Sequence, residues 1–129
     1  MDVRVLAVLP PDPRTPREAR RLLRHYLAPH ASGEIAEAVV LAVSELVTNA
    51  VEHAGTRVEL RAGVDAGCLR IEVADGSGDL PRETEPRPGT VGGRGLRLVQ
   101  QLADRWDVTT TATGKTVWFE RRLAPLTRG

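Results

Sequence analysis

The sequence has little cysteine, few aromatic residues and almost no net charge. Its 129 residues include one cysteine, Cys68, which excludes an intramolecular disulfide and a cysteine-rich metal site. A formal net charge of +1 argues against nucleic-acid binding driven by bulk electrostatics. Aromatic residues make up 3% of the chain, which is too few for a surface that stacks bases.

Long apolar runs are also absent. No segment approaches the length that spans a bilayer, and the opening apolar run is too short for a signal peptide. We therefore expect a soluble, cytoplasmic protein with no direct membrane or nucleic-acid partner. At this length, residues 1–129 are expected to form one domain with one core.

The longest periodic segment, from Ser32 to Gly55, predicts the central helix. Its apolar residues recur every three or four positions, as on the buried stripe of an amphipathic helix. Ser32 suits the N-cap, and Gly55 suits the position just after the last turn. Glu45 and Asn49 fall one turn apart on one flank of the stripe. They are candidates for the rim of a pocket, and the alternative is a solvated polar edge.

The remaining patterns predict an α/β fold in two layers. Period-two runs predict strands at residues 3–9, 58–64, 69–75, 106–111 and 116–121, and helical stripes predict two more helices near residues 15–28 and 93–105. In the first strand, Val5 and Leu9 share a face, and Thr15 and Glu18 fit a capping box for the first helix. We expect a mixed, mostly antiparallel sheet of about five strands with three helices on one face.

Two surface features accompany these elements. The outer face of the first helix carries Arg17, Arg20, Arg21 and Arg24, a charge run that is either solvated or a partner-binding surface. Residues 65–67, Asp-Ala-Gly, predict a hairpin turn between the second and third strands.

The third strand ends in an acid that points inward. Leu69, Ile71 and Val73 share its apolar face, and Asp75 continues that face by parity. An acid on the helix-covered face of a sheet is costly unless it has a dedicated partner. Because this inward position needs an explanation, Asp75 is the best single candidate for a binding-site residue. An inward carboxylate can accept a hydrogen bond from the exocyclic amine of adenine.

A segment rich in glycine and proline, residues 76–92, follows that strand. It is long for a simple connection and has no periodicity, so we interpret it as a lid. Gly93 and Gly95 at the next helix start let backbone N–H groups approach phosphate oxygens, and Arg94 can add a charged contact. The tail, residues 124–129, is expected to be frayed.

The polar residues of the central helix suit the remaining parts of a nucleotide. Magnesium takes oxygen ligands and keeps several waters, so the side-chain carbonyl of Asn49 can hold it against phosphates. Glu45, one turn away, is placed to accept a proton from an attacking hydroxyl or water.

In this order, the motifs resemble the ATP-binding boxes of the GHKL-type ATPases, the fold shared by gyrase, histidine kinases and mismatch-repair ATPases. The motifs are Glu45-Leu-Val-Thr-Asn49, Asp75-Gly-Ser-Gly, Gly93-Arg-Gly95-Leu and Gly114-Lys-Thr116. The chain is most similar to the small serine kinases that act as anti-sigma factors, from the first strand to about Leu123.

The resemblance implies a catalytic base, Glu45, and a magnesium ligand, Asn49. It also implies an ATP site composed of Asn49, Asp75, Ser77, Gly93, Arg94, Gly95, Leu96 and Thr116. Ser77 and Asp79 occupy two positions where the family's adenine box has glycine, which bears on how tightly the lid folds over ATP. Strand parity pairs Thr116 with Trp118, and the pattern leaves open whether their face or the other one meets the pocket.

By the same resemblance, the protein is an ATP-dependent serine/threonine kinase that uses Mg²⁺ and phosphorylates a small antagonist protein. It would form a homodimer and switch between this antagonist and a sigma factor, thereby regulating transcription. One alternative is a non-catalytic module of the same fold that senses nucleotide or sequesters a protein, and the altered adenine box favours it. A second alternative is the isolated catalytic domain of a histidine kinase.

Overall fold

The computed structural model describes residues 1–31, 33–76 and 91–123, with backbone alone at 91–93. The strands are β1 (Arg4–Leu9), β2 (Val58–Asp65), β3 (Cys68–Asp75), β4 (Arg105–Thr111) and β5 (Gly114–Arg122). The helices are α1 (Thr15–Leu27), α2 (Gly33–Asn49) and α3 (Val91–Leu102), and a π-helical turn, Ala50–Ala54, continues α2. The predicted N-cap Ser32, most of the lid (residues 77–90) and the tail (residues 124–129) lie outside the described residues.

The five strands form one open sheet in the order β1-β2-β3-β5-β4. Every neighbouring pair of described strands is antiparallel, so the predicted two-layer fold is confirmed, with a sheet that is antiparallel rather than mixed. Because β5 lies next to β3 and runs antiparallel to it, the end of β3 lies beside the beginning of β5. Asp75 therefore lies beside the motif that begins at Gly114.

The hairpin between β2 and β3 has the turn that its residues predict. Asp65 pairs with Cys68, and Ala66 and Gly67 between them have φ angles of 51° and 76°. Two successive positive φ angles are typical of the tight turns that match the twist of a β-hairpin. This turn sets the pairing of β2 with β3, in which Asp75 lies opposite Val58 at the end of β3 away from the turn.

The core lies between one face of the sheet and the helices. Its strand residues are Leu9, Val58, Leu60, Ala62, Leu69, Ile71, Val73, Val117 and Phe119. From α2, Val39, Val43 and Val47 are buried against them, and α2 also contacts α1 and α3. This burial fixes α2, so the polar residues of its last turns lie on a rigid element. None of the helices in the described ranges is long and apolar enough to cross a membrane.

The predicted face of β1 is wrong at its first half. Val5 pairs with Arg61 of β2, but Ala7 pairs with Leu60, so one extra residue is inserted between them. Because side chains alternate along a strand, a single inserted residue reverses the faces before it. Leu9 is buried as expected, whereas Val5 is half-exposed.

The first helix also begins differently from the capping box that was predicted. Arg14 is the N-cap residue and provides no side-chain cap. The hydroxyl of Thr15, inside the helix, donates a hydrogen bond of 2.6 Å to the carbonyl oxygen of Pro10. Glu18 pairs with Arg21 along the helix instead of reaching back to the helix start. The turn before the helix places the Pro10 carbonyl within reach of the Thr15 hydroxyl. A capping-box pattern considers only contacts within the first helical turn and does not predict this bond.

The other face of the sheet carries a cross-strand network of charges. Arg70 on β3 donates to Glu72 and to Glu120 of β5, each at 2.8 Å, and Arg61 of β2 donates to Glu72 at 3.1 Å. The Arg70 guanidinium also lies 4.0 Å from the ring centroid of Trp118. This face is polar and ordered by ion pairs, in contrast to the apolar helix face.

This network predicts a loss of stability in acid. Burial raises the pKa of Glu72, but hydrogen bonds from Arg70 and Arg61 outweigh it and hold the pKa below 4.5. The stabilisation is therefore fully present above the ordinary pKa of a glutamate in the unfolded chain. It is lost as the pH falls through the lower pKa of Glu72 in the folded protein. We expect Glu72→Gln to lower the free energy of unfolding by about 1 kcal/mol at pH 7 and by progressively less as the pH falls and Glu72 becomes protonated.

Urea denaturation of both proteins at a series of pH values measures this difference. Glu52→Gln, at an exposed position, is the control and should match the unmodified chain throughout. A cost for Glu72→Gln that is the same at both pH extremes would contradict the role of its charge.

Candidate functional site

The last turns of α2 hold the candidate base and metal ligand. Glu45 and Asn49 lie one turn apart on this helix, as predicted. The Glu45 side chain is 14% exposed, and its Oε1 accepts a hydrogen bond of 3.2 Å from Nη1 of Arg94, whose side chain is 64% exposed. This ion pair links α2 to α3 and places a cation beside the candidate base.

Asn49 carries a buried acceptor. Its Oδ1 is inaccessible to solvent and has no hydrogen-bond partner among the described residues. A buried carbonyl oxygen without a partner costs free energy, and a cation or an ordered water relieves that cost. Since Mg²⁺ takes such oxygens, the residue fits the predicted metal. The described residues contain no group of three or more His, Cys, Asp or Glu side chains that would hold a metal by themselves.

A glycine lets α3 approach α2 closely beside Glu45. Gly95 is buried, and a Cβ built on it would lie 3.1 Å from Cδ2 and 3.4 Å from the backbone nitrogen of Leu46. A methyl group at this position would require the Leu46 side chain to shift by a few tenths of an ångström. Gly93 lies in the same first turns of α3, and the half-buried Leu96 packs against the core. Their phosphate contacts stay a prediction.

Asp75 points inward, as its parity predicts. Its side chain is 5% exposed, and its Oδ2 lies 3.2 Å from Nζ of Lys115, whose side chain is 13% exposed. The two residues are directly opposite each other in the β3–β5 register. The dedicated partner that an inward acid requires is therefore a lysine from the neighbouring strand.

The register disagrees with the prediction for Thr116. This residue is opposite Ala74, so it shares the outer face of the sheet with Trp118 and Glu120. Val117 and Phe119 are the buried apolar side chains of β5, and Lys115 precedes them on the same side. Lys115, not Thr116, therefore lies beside Asp75. The alternation alone left the two faces open, and burial in the core decides between them.

Two further residues fix the backbone around Asp75, and sequence reasoning missed both roles. A Cβ on Gly114 would lie 2.0 Å from the Asp75 carbonyl oxygen, so the two strands meet in close backbone contact. The Gly76 N–H donates to the hydroxyl of Thr56 at 2.8 Å. No local signal marks Thr56, which becomes a neighbour of Gly76 only because Val58 and Asp75 pair across β2 and β3.

The structure thus assembles the predicted residues in two groups. Glu45, Arg94 and Gly95 lie at the α2–α3 contact, with Asn49 one turn further along α2, and Asp75 lies with Lys115 and Gly114 where β3 meets β5. Both groups lie on the side of the sheet that the helices cover, since Asp75 shares the face of the buried strand residues. Ser77 lies outside the described residues.

A separate groove of about 740 Å³ lies at the start of α1. Its described lining includes no candidate nucleotide ligand. It is lined by Arg14, Arg17, Arg20, Arg21 and Arg24 together with Leu9, Pro10, Asp12, Thr15 and Glu18. The arginine face that the sequence predicted therefore borders a concave surface.

Comparison with known proteins identifies the family of the chain. A family model described as the histidine kinase-like ATPase domain matches residues 9–121. The chain is 38% identical over 92 residues to blue-light-activated histidine kinase 2 of Erythrobacter litoralis, covering 65% of this chain and 27% of that protein. It thus spans about a quarter of the length of this curated relative.

Solved structures show the same fold. The RsbU and RsbW domains of Rv1364c from Mycobacterium tuberculosis match with a TM-score of 0.74 and 24% identity, over 99% of this chain and 34% of that one. The histidine kinase domain of a blue-light-activated histidine kinase from Erythrobacter litoralis matches with a TM-score of 0.58 and 29% identity, over 84% and 60%. Since the family model matches most of the sequence and the fold agrees, the chain belongs to the histidine kinase-like ATPase domain family.

Proposed function

We propose that the protein is an ATP-dependent serine/threonine kinase that phosphorylates a small antagonist protein and regulates transcription by switching partners, as an anti-sigma factor does. The observation that carries this proposal is the presence, on one rigid helix, of a carboxylate at Glu45 and of a buried carbonyl at Asn49 that has no hydrogen-bond partner within the described part of the chain. The similarity of its motifs to the anti-sigma serine kinases supports the finer assignment.

In the proposed reaction, the hydroxyl oxygen of the acceptor serine attacks the γ-phosphorus of ATP. The bond from that phosphorus to the bridging oxygen breaks, ADP leaves, and the hydroxyl proton passes to Glu45. Mg²⁺ held by Asn49 would neutralise charge on the phosphates. Asp75 would accept a hydrogen bond from the adenine amine, and backbone N–H groups at the start of α3 would contact the phosphates.

The partners belong to the same proposal. The arginine-lined groove at α1 offers a cationic surface to an acidic segment of another protein, and Arg17 is exposed there for contacts. The antagonist and the sigma factor are the proposed occupants, and the protein would act as a homodimer in the cytoplasm.

A non-catalytic nucleotide sensor is the second candidate. The observation that favours it is the ion pair of Glu45 with Arg94, because the guanidinium occupies one of the two carboxylate oxygens that would have to accept the proton of an attacking hydroxyl. A transfer assay separates the two candidates. The acid stability of the product then separates a serine phosphate, which survives acid, from a histidine phosphate, which hydrolyses.

Nucleotide binding itself is tested by calorimetry on Asn49→Ala. We expect this change to weaken Mg-ATP binding by at least about tenfold, the effect of losing one ligand to a charged group. In EDTA the two proteins should bind ATP within about threefold of each other, since Asn49 acts through the metal.

The matched control is Thr48→Ala, since the Thr48 hydroxyl is already bonded within the helix, to the Ser44 carbonyl at 2.8 Å. An equal loss of affinity with and without Mg²⁺ would show that Asn49 does not hold the metal. No ATP binding by the unmodified chain at millimolar concentration would refute the proposed function altogether.

A further inference from the structure

Lys115 is the chain's only lysine. The 18 basic residues of the sequence comprise this lysine and 17 arginines. Its ammonium lies 3.2 Å from Oδ2 of Asp75, with both side chains largely buried. A buried ion pair contributes little net stability because both charges lose their hydration, so stability alone does not account for this placement.

The fold holds this pair in a fixed position. Lys115 and Asp75 are opposite each other in the register, and Gly114 packs directly against the Asp75 backbone. Nζ and Oδ2 form a salt bridge, and among the described residues the ammonium donates no hydrogen bond. The pair therefore presents donors next to the Asp75 carboxylate. An arginine would instead tend to pair with the carboxylate through two parallel bonds.

This combination matches one edge of adenine. On that edge the exocyclic N6 amine is a donor, and the adjacent ring atom N1 is an acceptor. A carboxylate satisfies the amine but offers nothing to N1. We infer that Lys115 donates a hydrogen bond to N1 of the adenine whose N6 amine Asp75 accepts, and that it is a specificity-determining residue of this site. The inference rests on the proposed function.

The same pair rejects guanine in that orientation. Guanine has a carbonyl oxygen where adenine has its amine, and an N–H group where adenine has N1. Its carbonyl would face the Asp75 carboxylate and its N–H would face the Lys115 ammonium, so both contacts are unfavourable. Asp75 alone supplies the first of these two mismatches. Lys115 supplies the second, and Lys115→Met is therefore expected to lower the preference for adenine over guanine.

The test is a calorimetric cycle with Mg-ADP and Mg-1-deaza-ADP, in which a C–H group replaces N1. In the unmodified chain, 1-deaza-ADP should bind about 10- to 100-fold more weakly than ADP, as expected for loss of a charge-assisted hydrogen bond. In Lys115→Met, which keeps the apolar stem without the ammonium, the two ligands should bind within about threefold of each other.

Each outcome decides something. An equal penalty for 1-deaza-ADP in both proteins overturns the inference while leaving the proposed function intact. Tighter ADP binding by Lys115→Met also overturns it, because the ammonium would then compete with adenine for Asp75. No binding of ADP by the unmodified chain overturns the proposed function and the inference together.

A second measurement needs no substitution. Selective ¹³C,¹⁵N-lysine labelling yields signals from Lys115 alone, since the sequence has no other lysine. ADP should shift the signals of its ε-carbon and ammonium nitrogen at saturation, and 1-deaza-ADP at saturation should leave them near their ligand-free positions. Identical shifts with both ligands would exclude a bond to N1 even if Lys115→Met fails to fold.

Discussion

Replacing Glu45 with glutamine is expected to lower the rate of phosphoryl transfer about 10²- to 10⁴-fold, the usual contribution of a general base. Glutamine keeps the shape of the side chain and an oxygen that accepts from Arg94, which lies 3.2 Å from the carboxylate. It does not take up the proton of an attacking hydroxyl. Because the nucleotide contacts are unchanged, affinity for Mg-ADP should stay within about threefold.

Transfer is followed with γ-labelled ATP, both to water and to any protein that the immobilised chain retains. Either acceptor loses a proton in the reaction, so both activities should fall together. Glu52→Gln is the matched control, because Glu52 lies just beyond α2 on the π-helical turn and is exposed.

Two results would contradict the assignment. Full activity of Glu45→Gln would show that the carboxylate is not the base, and its ion pair with Arg94 would then be structural. Loss of Mg-ADP binding with the activity would show that Glu45 supports the site rather than the proton transfer. Absence of transfer by the unmodified chain, with ATP binding intact, would favour the non-catalytic sensor.

The sequence predicted those parts of the fold that local patterns determine. The turn at Ala66 and Gly67 and the inward direction of Asp75 follow from residue type and from strict alternation along a strand. The spacing of Glu45 and Asn49 follows from helical periodicity. Each of these needs only neighbours within a few positions.

Where prediction failed, the deciding contact came from a distant part of the chain. The reversed face of Val5 depends on where β1 inserts its extra residue against β2, which the sequence of β1 does not encode by itself. The choice of Lys115 over Thr116 depends on the register of β5 against β3. The ion pair of Arg94 with Glu45 likewise depends on the packing of α3 against α2, and the phosphate contact of Arg94 stays a prediction.

The second large effect is expected at Gly114. A Cβ there would lie 2.0 Å from the Asp75 carbonyl oxygen and 3.0 Å from the Asp75 carbonyl carbon and from Cα of Gly76. These are backbone atoms, so no side-chain rotation relieves the overlap. We expect Gly114→Ala to lower the free energy of unfolding by about 3 kcal/mol, the upper end of the usual cost of overpacking.

Thermal and urea unfolding without nucleotide measure this loss. Gly67→Ala is the matched control, because it also alters a hairpin of the sheet but meets no described atom within 4 Å. We expect Gly67→Ala to cost about 1 kcal/mol, because alanine is strained at the positive φ of 76°. Equal losses in the two variants would show that the contact between Gly114 and Asp75 is not tight in solution.

The same substitution tests whether backbone contact in the sheet positions the base-binding pair. To admit a methyl group at residue 114, β5 must move away from the end of β3, and this movement separates Lys115 from Asp75. Folded Gly114→Ala should therefore bind Mg-ADP more weakly than folded Gly67→Ala does, and its penalty for 1-deaza-ADP should shrink. If Gly114→Ala is destabilised but keeps both the affinity and the penalty, the ion pair is held by its own charges rather than by the strand register.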